Sequence, residues 1–330
     1  MRSSTVQHHV SQGDVVARRL LIAGLAFAAA IAVAHATDGD RTAPSADRID
    51  PQRFTKKLDP AYGAFQRGLY KTAYNLALEK ARQGDAPSQA LVAEILSRGL
   101  GVARDEAEAA KWYQRAAEQG VPEAQFQYAL LQLDGRFVKK DKQGAFALME
   151  AAAEAGNALA QFNFAQLLVD RDPGPKGMAR AVIYYERAAK AGLPDAQYAM
   201  SQIDAGGIGG RPKDEAAARR WLELAARQNY DTAQLDLGTW MVQGRGGKKD
   251  EAGGFRMLKR AAEGGNVAAQ NRVAKLYLNG IGTDPDETFA AAWYILAKRA
   301  GLVDPMMEDF MNGLTDAEIK TAVVRANRLR

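Results

Sequence analysis

Cysteine is absent from all 330 residues, which excludes disulfides, thiolate nucleophiles and cysteine-linked lipidation. Histidine is nearly as scarce. His8, His9 and His35 all precede residue 37, so whatever folds downstream lacks the usual general base and the ligands of nearly every zinc site. No metal or other cofactor is expected. Between residues 86 and 301 the serines are Ser88, Ser97 and Ser201, and none sits in a G-x-S-x-G elbow. Gly206-Gly207-Ile208-Gly209-Gly210 follows a helical pattern rather than a strand, and no G-x-x-x-x-G-K-[ST] occurs. Carboxylates are plentiful and a glycosidase needs only two, yet they fall at repeat positions or on exposed helix faces. Composition therefore points away from an enzyme.

Charge of one sign is also in short supply. The formal net charge is +5, and the first 36 residues hold Arg2, Arg18 and Arg19 against Asp14. The small surplus left on the rest of the chain argues for no nucleic-acid partner. The long apolar run is Leu20 to Ala34, preceded by Arg18-Arg19 and followed by Ala34-His35-Ala36. A basic flank, an apolar segment and an A-x-A site describe a secretory signal peptide over 1–36, cleaved between Ala36 and Thr37. The competing reading is a retained anchor, but a helix over this run spans roughly 22 Å, short of the ~30 Å hydrocarbon core. Cleavage leaves no stable membrane span. The twin arginines suggest export of a folded protein, but the residues after them fit that motif poorly. Residues 37–60 carry Pro44, Pro51 and Pro60 without an apolar period and read as a flexible linker.

What the chain has in abundance is repetition. Ala116-Ala117-Glu118-Gln119-Gly120 returns every 36 or 37 residues as Ala152 to Gly156, Ala188 to Gly192, Ala225 to Asn229, Ala261 to Gly265 and Ala297 to Gly301. Upstream of the tails lie Trp112-Tyr113, Tyr184-Tyr185, Trp221-Leu222 and Trp293-Tyr294. Each unit opens on Ala-Gln, at Ala124-Gln125, Ala160-Gln161, Ala196-Gln197, Ala233-Gln234 and Ala269-Gln270. Trp112, Tyr113, Ala116 and Ala117 share one helical face. The tail glycines suit left-handed C-terminal caps, and Asn229 is the next-best residue there. Asp105, Asp141, Asp214, Asp250 and Asp286 cap the second helix of their units. Gly99-Leu100-Gly101, Gly244-Arg245-Gly246 and Gly280-Ile281-Gly282 form the turn between the two helices. Each unit is thus helix, glycine turn, helix, and buries its apolar face only when stacked.

These residues resemble the Sel1-like repeat family, a tetratricopeptide-like group, over about two thirds of the chain. The resemblance implies an all-α fold, a right-handed α-solenoid of stacked helix-turn-helix repeats. A partial hairpin (61–84) and six repeats (86–301) make a solenoid over 61–301, and C-terminal capping helices cover 302–330; Thr315 and Glu318 open the last with a capping-box pattern. Two repeats depart from the pattern. The third has Arg171-Asp172-Pro173-Gly174-Pro175 for the glycine turn and Gly177 where the capping Asp belongs. The second has Phe137 for the second turn glycine, so both loops are expected to be reshaped.

The resemblance also implies a binding role rather than catalysis: a scaffold in the periplasm of a Gram-negative bacterium, or secreted, holding an envelope protein. Relatives of this layout include regulators of signalling and exopolysaccharide systems. By analogy with tetratricopeptide grooves, one column on the first helices holds Phe126, Phe162, Tyr198 and Leu235. The next turn holds Leu130, Gln166, Gln202, Thr239 and Lys275. Aromatics beside amides suit an extended peptide or a partner helix; equally, the aromatics serve as interlayer core. A second candidate is a basic loop edge of Lys139, Lys140, Arg211, Lys213, Lys248 and Lys249, facing an acidic glycan such as an envelope polysaccharide or peptidoglycan, a lipid headgroup or an acidic protein. The plain alternative there is a solvated face.

Overall fold

The computed structural model describes residues 59–329, so the leader, its cleavage site at Ala36 and Thr37, and most of the linker lie outside the described residues. Sixteen helices and no strand occur among the described residues. In chain order they are α1 (Pro60–Gln66), α2 (Tyr70–Arg82), α3 (Ala86–Arg98), α4 (Glu106–Glu118), α5 (Pro122–Asp134), α6 (Lys142–Glu154), α7 (Ala158–Arg171) and α8 (Pro175–Lys190), then α9 (Pro194–Gly206), α10 (Glu215–Arg227), α11 (Asp231–Gln243), α12 (Glu251–Glu263), α13 (Val267–Asn279), α14 (Glu287–Arg299), α15 (Pro305–Asn312) and α16 (Asp316–Arg328). They form two compact units, one ending at Leu193 and the other starting at Pro194. Within each unit consecutive helices pack together, except at the C-terminus, where α16 packs on α14. This is α-solenoid architecture, as the repeat predicts.

The repeated letters are explained by backbone carbonyls. A helix leaves its last carbonyls without intrahelical partners. At the end of α4 the left-handed Gly120 (φ 82°) turns the chain back, so the Val121 N–H reaches the Ala116 carbonyl at 3.1 Å. Asn157 to Ala152, Tyr230 to Ala225, Asn266 to Ala261 and Leu302 to Ala297 repeat this Schellman bond. The second alanine of each pair is served by the next helix. Gln161 Nε2 donates to the Ala153 carbonyl at 3.1 Å, Gln234 to Ala226 at 3.1 Å and Gln270 to Ala262 at 3.2 Å. The Ala-Ala tail and the Ala-Gln opening are thus two halves of one cap, buried where water cannot replace it. The alanine side chains are themselves fully buried, and their size sets how closely the helices approach.

The aspartate caps are as expected. Asp105 accepts from the Glu108 N–H at 2.9 Å, Asp214 from Ala217 at 2.8 Å, Asp250 from Gly253 at 2.7 Å and Asp286 from Phe289 at 2.8 Å. Asn229 holds φ 61° in the glycine position. The turn glycines do more than supply an angle. A Cβ on Gly246 would lie 2.3 Å from the Glu215 carbonyl oxygen, and one on Gly282 would lie 2.2 Å from that of Glu251. The second turn glycine therefore lets each loop touch the preceding repeat.

Of the two loops expected to be reshaped, the third repeat's is and the second's is not. Gly177 does not stand at a capping position: α8 begins at Pro175, Gly174 occupies the N-cap, and Gly177 is buried inside the first turn. A Cβ there would meet the Asp172 carbonyl oxygen at 1.9 Å, so the short 172–174 connection demands glycine for space. Phe137 does not unwind its turn. It keeps φ 66°, the value of Gly101, and bears the strain of a side chain there. At the C-terminus two helices follow the last repeat, and Thr315 and Glu318 form the expected capping box.

Candidate functional site

The face of the first helices in the C-terminal unit carries a connected polar and aromatic group. Helix α9 contributes Asp195, Tyr198 and Gln202, and α11 contributes Leu235, Asp236 and Thr239. Tyr198 Oη donates to Asp236 Oδ2 at 3.0 Å, and Gln202 Nε2 donates to the same oxygen at 3.5 Å. The Tyr198 and Tyr230 rings lie 5.5 Å apart, and the Tyr230 hydroxyl pairs with the Asp195 carboxylate. Burial raises the pKa of Asp236, offset in part by Tyr198 and by the Arg272 and Arg245 charges. Burial likewise raises Asp195, partly opposed by Tyr230. Tyr198, Gln202, Leu235 and Asp236 are all half-buried, so a partner can reach them while their positions stay set.

The remaining expected groove residues divide by environment. Lys275 pairs with Asp304 at 2.5 Å, and Asn271 donates to the same carboxylate at 2.9 Å. That ties α13 to the residue capping α15, so Lys275 has a structural partner. Thr239 Oγ1 donates to its own helix at the Leu235 carbonyl, 2.8 Å away. In the N-terminal unit Phe126 is buried, whereas Phe162 is half-buried with its ring 5.5 Å from that of Tyr185. Leu130 and Gln166 are half-buried. Asp195, Tyr230, Asp236 and Arg272 were missed by sequence reasoning. Asp236 and Arg272 each fall two residues after a repeat glutamine, a signal legible once that column is drawn.

The expected basic edge divides as well. Arg211 Nε pairs with the buried Asp204 at 2.7 Å, Lys213 with Glu215 at 2.9 Å and Lys249 with Glu251 at 2.7 Å. Of its C-terminal residues, Lys248 has no ion pair among the described residues. Asp204 also accepts from Trp221 Nε1 at 3.1 Å, which fixes the long 207–214 connection. Lys139 and Lys140, in the N-terminal unit, are exposed. Among the described residues no group of three or more His, Asp or Glu could hold a metal ion, and no helix is long and apolar enough to cross a membrane.

The Sel1 repeat matches the chain six times, over residues 86–121, 122–157, 158–193, 194–230, 232–266 and 267–302. The chain belongs to the Sel1 repeat family. Such proteins are typically protein-interaction scaffolds rather than enzymes. Among solved structures this Sel1 repeat protein is similar to one from Oxalobacter formigenes, with 25% identity and a TM-score of 0.61, covering 74% of this chain and 97% of that one. It is also similar to c5321, a protective antigen of uropathogenic Escherichia coli with the same repeat fold. There the identity is 26% and the TM-score 0.52, covering 79% of this chain and 64% of that one. No curated protein matches the chain.

Proposed function

We propose that this Sel1 repeat protein is an exported scaffold that holds a protein of the bacterial cell envelope and regulates a signalling or exopolysaccharide system through it. The carrying observation is the Tyr198–Asp236–Gln202 cluster beside Leu235. An extended segment or helix of the partner would lay an apolar side chain against Tyr198 and Leu235. Its donors would pair with the half-buried Asp236. Aromatic anchors flanked by fixed polar groups are what concentrates binding energy at protein interfaces. Export rests on the Leu20–Ala34 run and the Ala34-His35-Ala36 site.

The test is photo-crosslinking in intact envelopes, with the reactive residue at Gln202 or, as control, at the exposed Arg256 of α12. A defined adduct from position 202 is expected, absent from position 256 and lost in an Asp236→Asn background. Equal adducts from both positions would overturn the site. The rival reading, an acidic glycan on the basic edge, has less support where Arg211, Lys213 and Lys249 are already paired. Capture that fades between low and high salt would favour it.

A further inference from the structure

The second repeat departs from the repeat pattern at two positions of one loop, Phe137 and Lys142. Phe137 stands at φ 66° where Gly101, Gly246 and Gly282 hold φ 66°, 67° and 71°, a conformation that resists a side chain. Its ring stays 49% exposed, with the Arg136 guanidinium 5.3 Å from the ring centroid. Lys142 opens α6 where Glu106, Glu215, Glu251 and Glu287 open the equivalent helices, placing a cation at the positive end of a helix dipole. The same exchange removes the glutamate that pairs with Lys213 and Lys249 elsewhere. Lys139, Lys140 and Lys142 are exposed and have no ion-pair partner among the described residues. Local costs that coincide in one exposed loop, offset in the fold by little beyond the Arg136 contact, mark a functional segment.

We propose that the Arg136–Lys142 loop docks on an anionic phospholipid surface, with Phe137 entering the interfacial layer and Lys139, Lys140 and Lys142 meeting the headgroups. The loop offers an apolar ring and cations and almost nothing directional. Asp141 is used as a cap for Gln143 and Gly144, and no Asn, Gln, Ser or Thr lies between 135 and 142. A sugar or a shaped protein epitope needs such fixed hydrogen-bonding groups. A fluid anionic bilayer needs only charge and an apolar wedge. Arg136 lies over the Phe137 ring and is neutralised by Glu106 at 3.3 Å and Asp134 at 3.4 Å, so it is not counted among the headgroup contacts. The site is independent of the face around Tyr198.

The absence of cysteine permits a local test in the full chain. A Val138→Cys variant carrying nitrobenzoxadiazole is titrated with phosphatidylcholine vesicles, with vesicles containing about one third phosphatidylglycerol, and with soluble dextran sulfate. A label at Arg256→Cys is the control, and any membrane attachment through the leader acts on both alike. Blue-shifted, brighter emission at position 138 is expected on the anionic vesicles alone. Lys139→Gln, Lys140→Gln and Lys142→Gln together should weaken it roughly a hundredfold, at about fivefold per charge. Phe137→Gly should abolish it while melting no lower than the parent. The proposal is overturned if position 138 gives no lipid-dependent signal or if dextran sulfate gives the same response. It is equally overturned if the lysine variant binds unchanged, or if Phe137→Gly melts lower, which would make the ring a packing residue.

Discussion

At the scale of single residues, the glycines separate into those chosen for an angle and those chosen for space. Gly120 has φ 82° with nothing within 4 Å of a built Cβ, whereas Gly282 has φ 71° and a backbone oxygen at 2.2 Å. Gly120→Ala should therefore cost about 1 kcal/mol, and Gly282→Ala roughly 3 kcal/mol, compared by urea unfolding. Equal costs would mean that the loop-to-repeat contact is soft. Asp236 gives a second residue-scale outcome. Its pKa is raised by burial, so the folded state binds its proton more tightly than the unfolded state does. Its contribution favours folding below the ordinary aspartate range and is lost as pH rises through the raised value. At neutral pH Asp236→Asn removes that penalty. The variant should melt no lower than the parent while binding its partner more weakly, and a lower melting temperature would make Asp236 a structural residue.

At the scale of elements, stability comes from how one hairpin closes the next. Gln161→Leu removes the side-chain donor to the Ala153 carbonyl at the α6–α7 junction and leaves it the 3.1 Å bond from the Gly156 N–H. Loss of one of the two donors to a buried carbonyl costs about 1 kcal/mol, measurable as a shift in urea midpoint with unchanged slope. The C-terminal helices bury Met307, Ala322 and Ala326 in the core of the last repeat and add ion pairs at its edge. Lys298 and Tyr294 both bond Glu308 and hold its pKa below the usual glutamate value. Lys275 pairs with Asp304 and holds that carboxyl low as well. For depressed carboxyls the sign is opposite to that of Asp236: the stabilisation is present above the unfolded values, about pH 4, and is lost as pH falls through the lower folded values. Amide exchange in α15 and α16 should accelerate below about pH 4 before that in α11 and α12. Simultaneous acceleration would show that these pairs do not hold the cap.

At the scale of the whole molecule, nearest-neighbour packing predicts that damage stays local. Gly238 and Gly254 face each other, and a Cβ on Gly238 would come within 2.6 Å of Leu258 and 2.9 Å of the Gly254 carbonyl oxygen. Gly238→Ala should loosen α11 and α12 and speed their amide exchange, leaving α3 to α5 unchanged. Uniform acceleration along the chain would contradict a solenoid in which each hairpin contacts only its neighbours. Export belongs to this scale too. Native protein should begin at Thr37 by N-terminal sequencing, and an intact leader would favour the retained anchor.

The fold was legible in the residues because a solenoid repeats its interactions. Ala116-Ala117, Gln161, Gly120 and Asp105 each do one local backbone job, and a job done at every repeat leaves a period that one sequence displays by itself. Even the substitute Asn229 could be read, since positive φ is a property of the residue and its immediate neighbours. The candidate sites were only partly legible. Phe126 and Tyr198 share a repeat position, yet one ring is buried and the other reaches Asp236 on the next first helix; Lys139 and Lys213 share a sequence pattern, yet the first is unpaired and the second meets Glu215. Gly177 fell on the capping register by count, but α8 starts early because Asp172 closes over it. Local backbone chemistry determined the repeat, its caps and its turns. Only the tertiary structure decided which side chains are core, which are paired and which remain available, because burial and ion pairing depend on neighbours a whole repeat away.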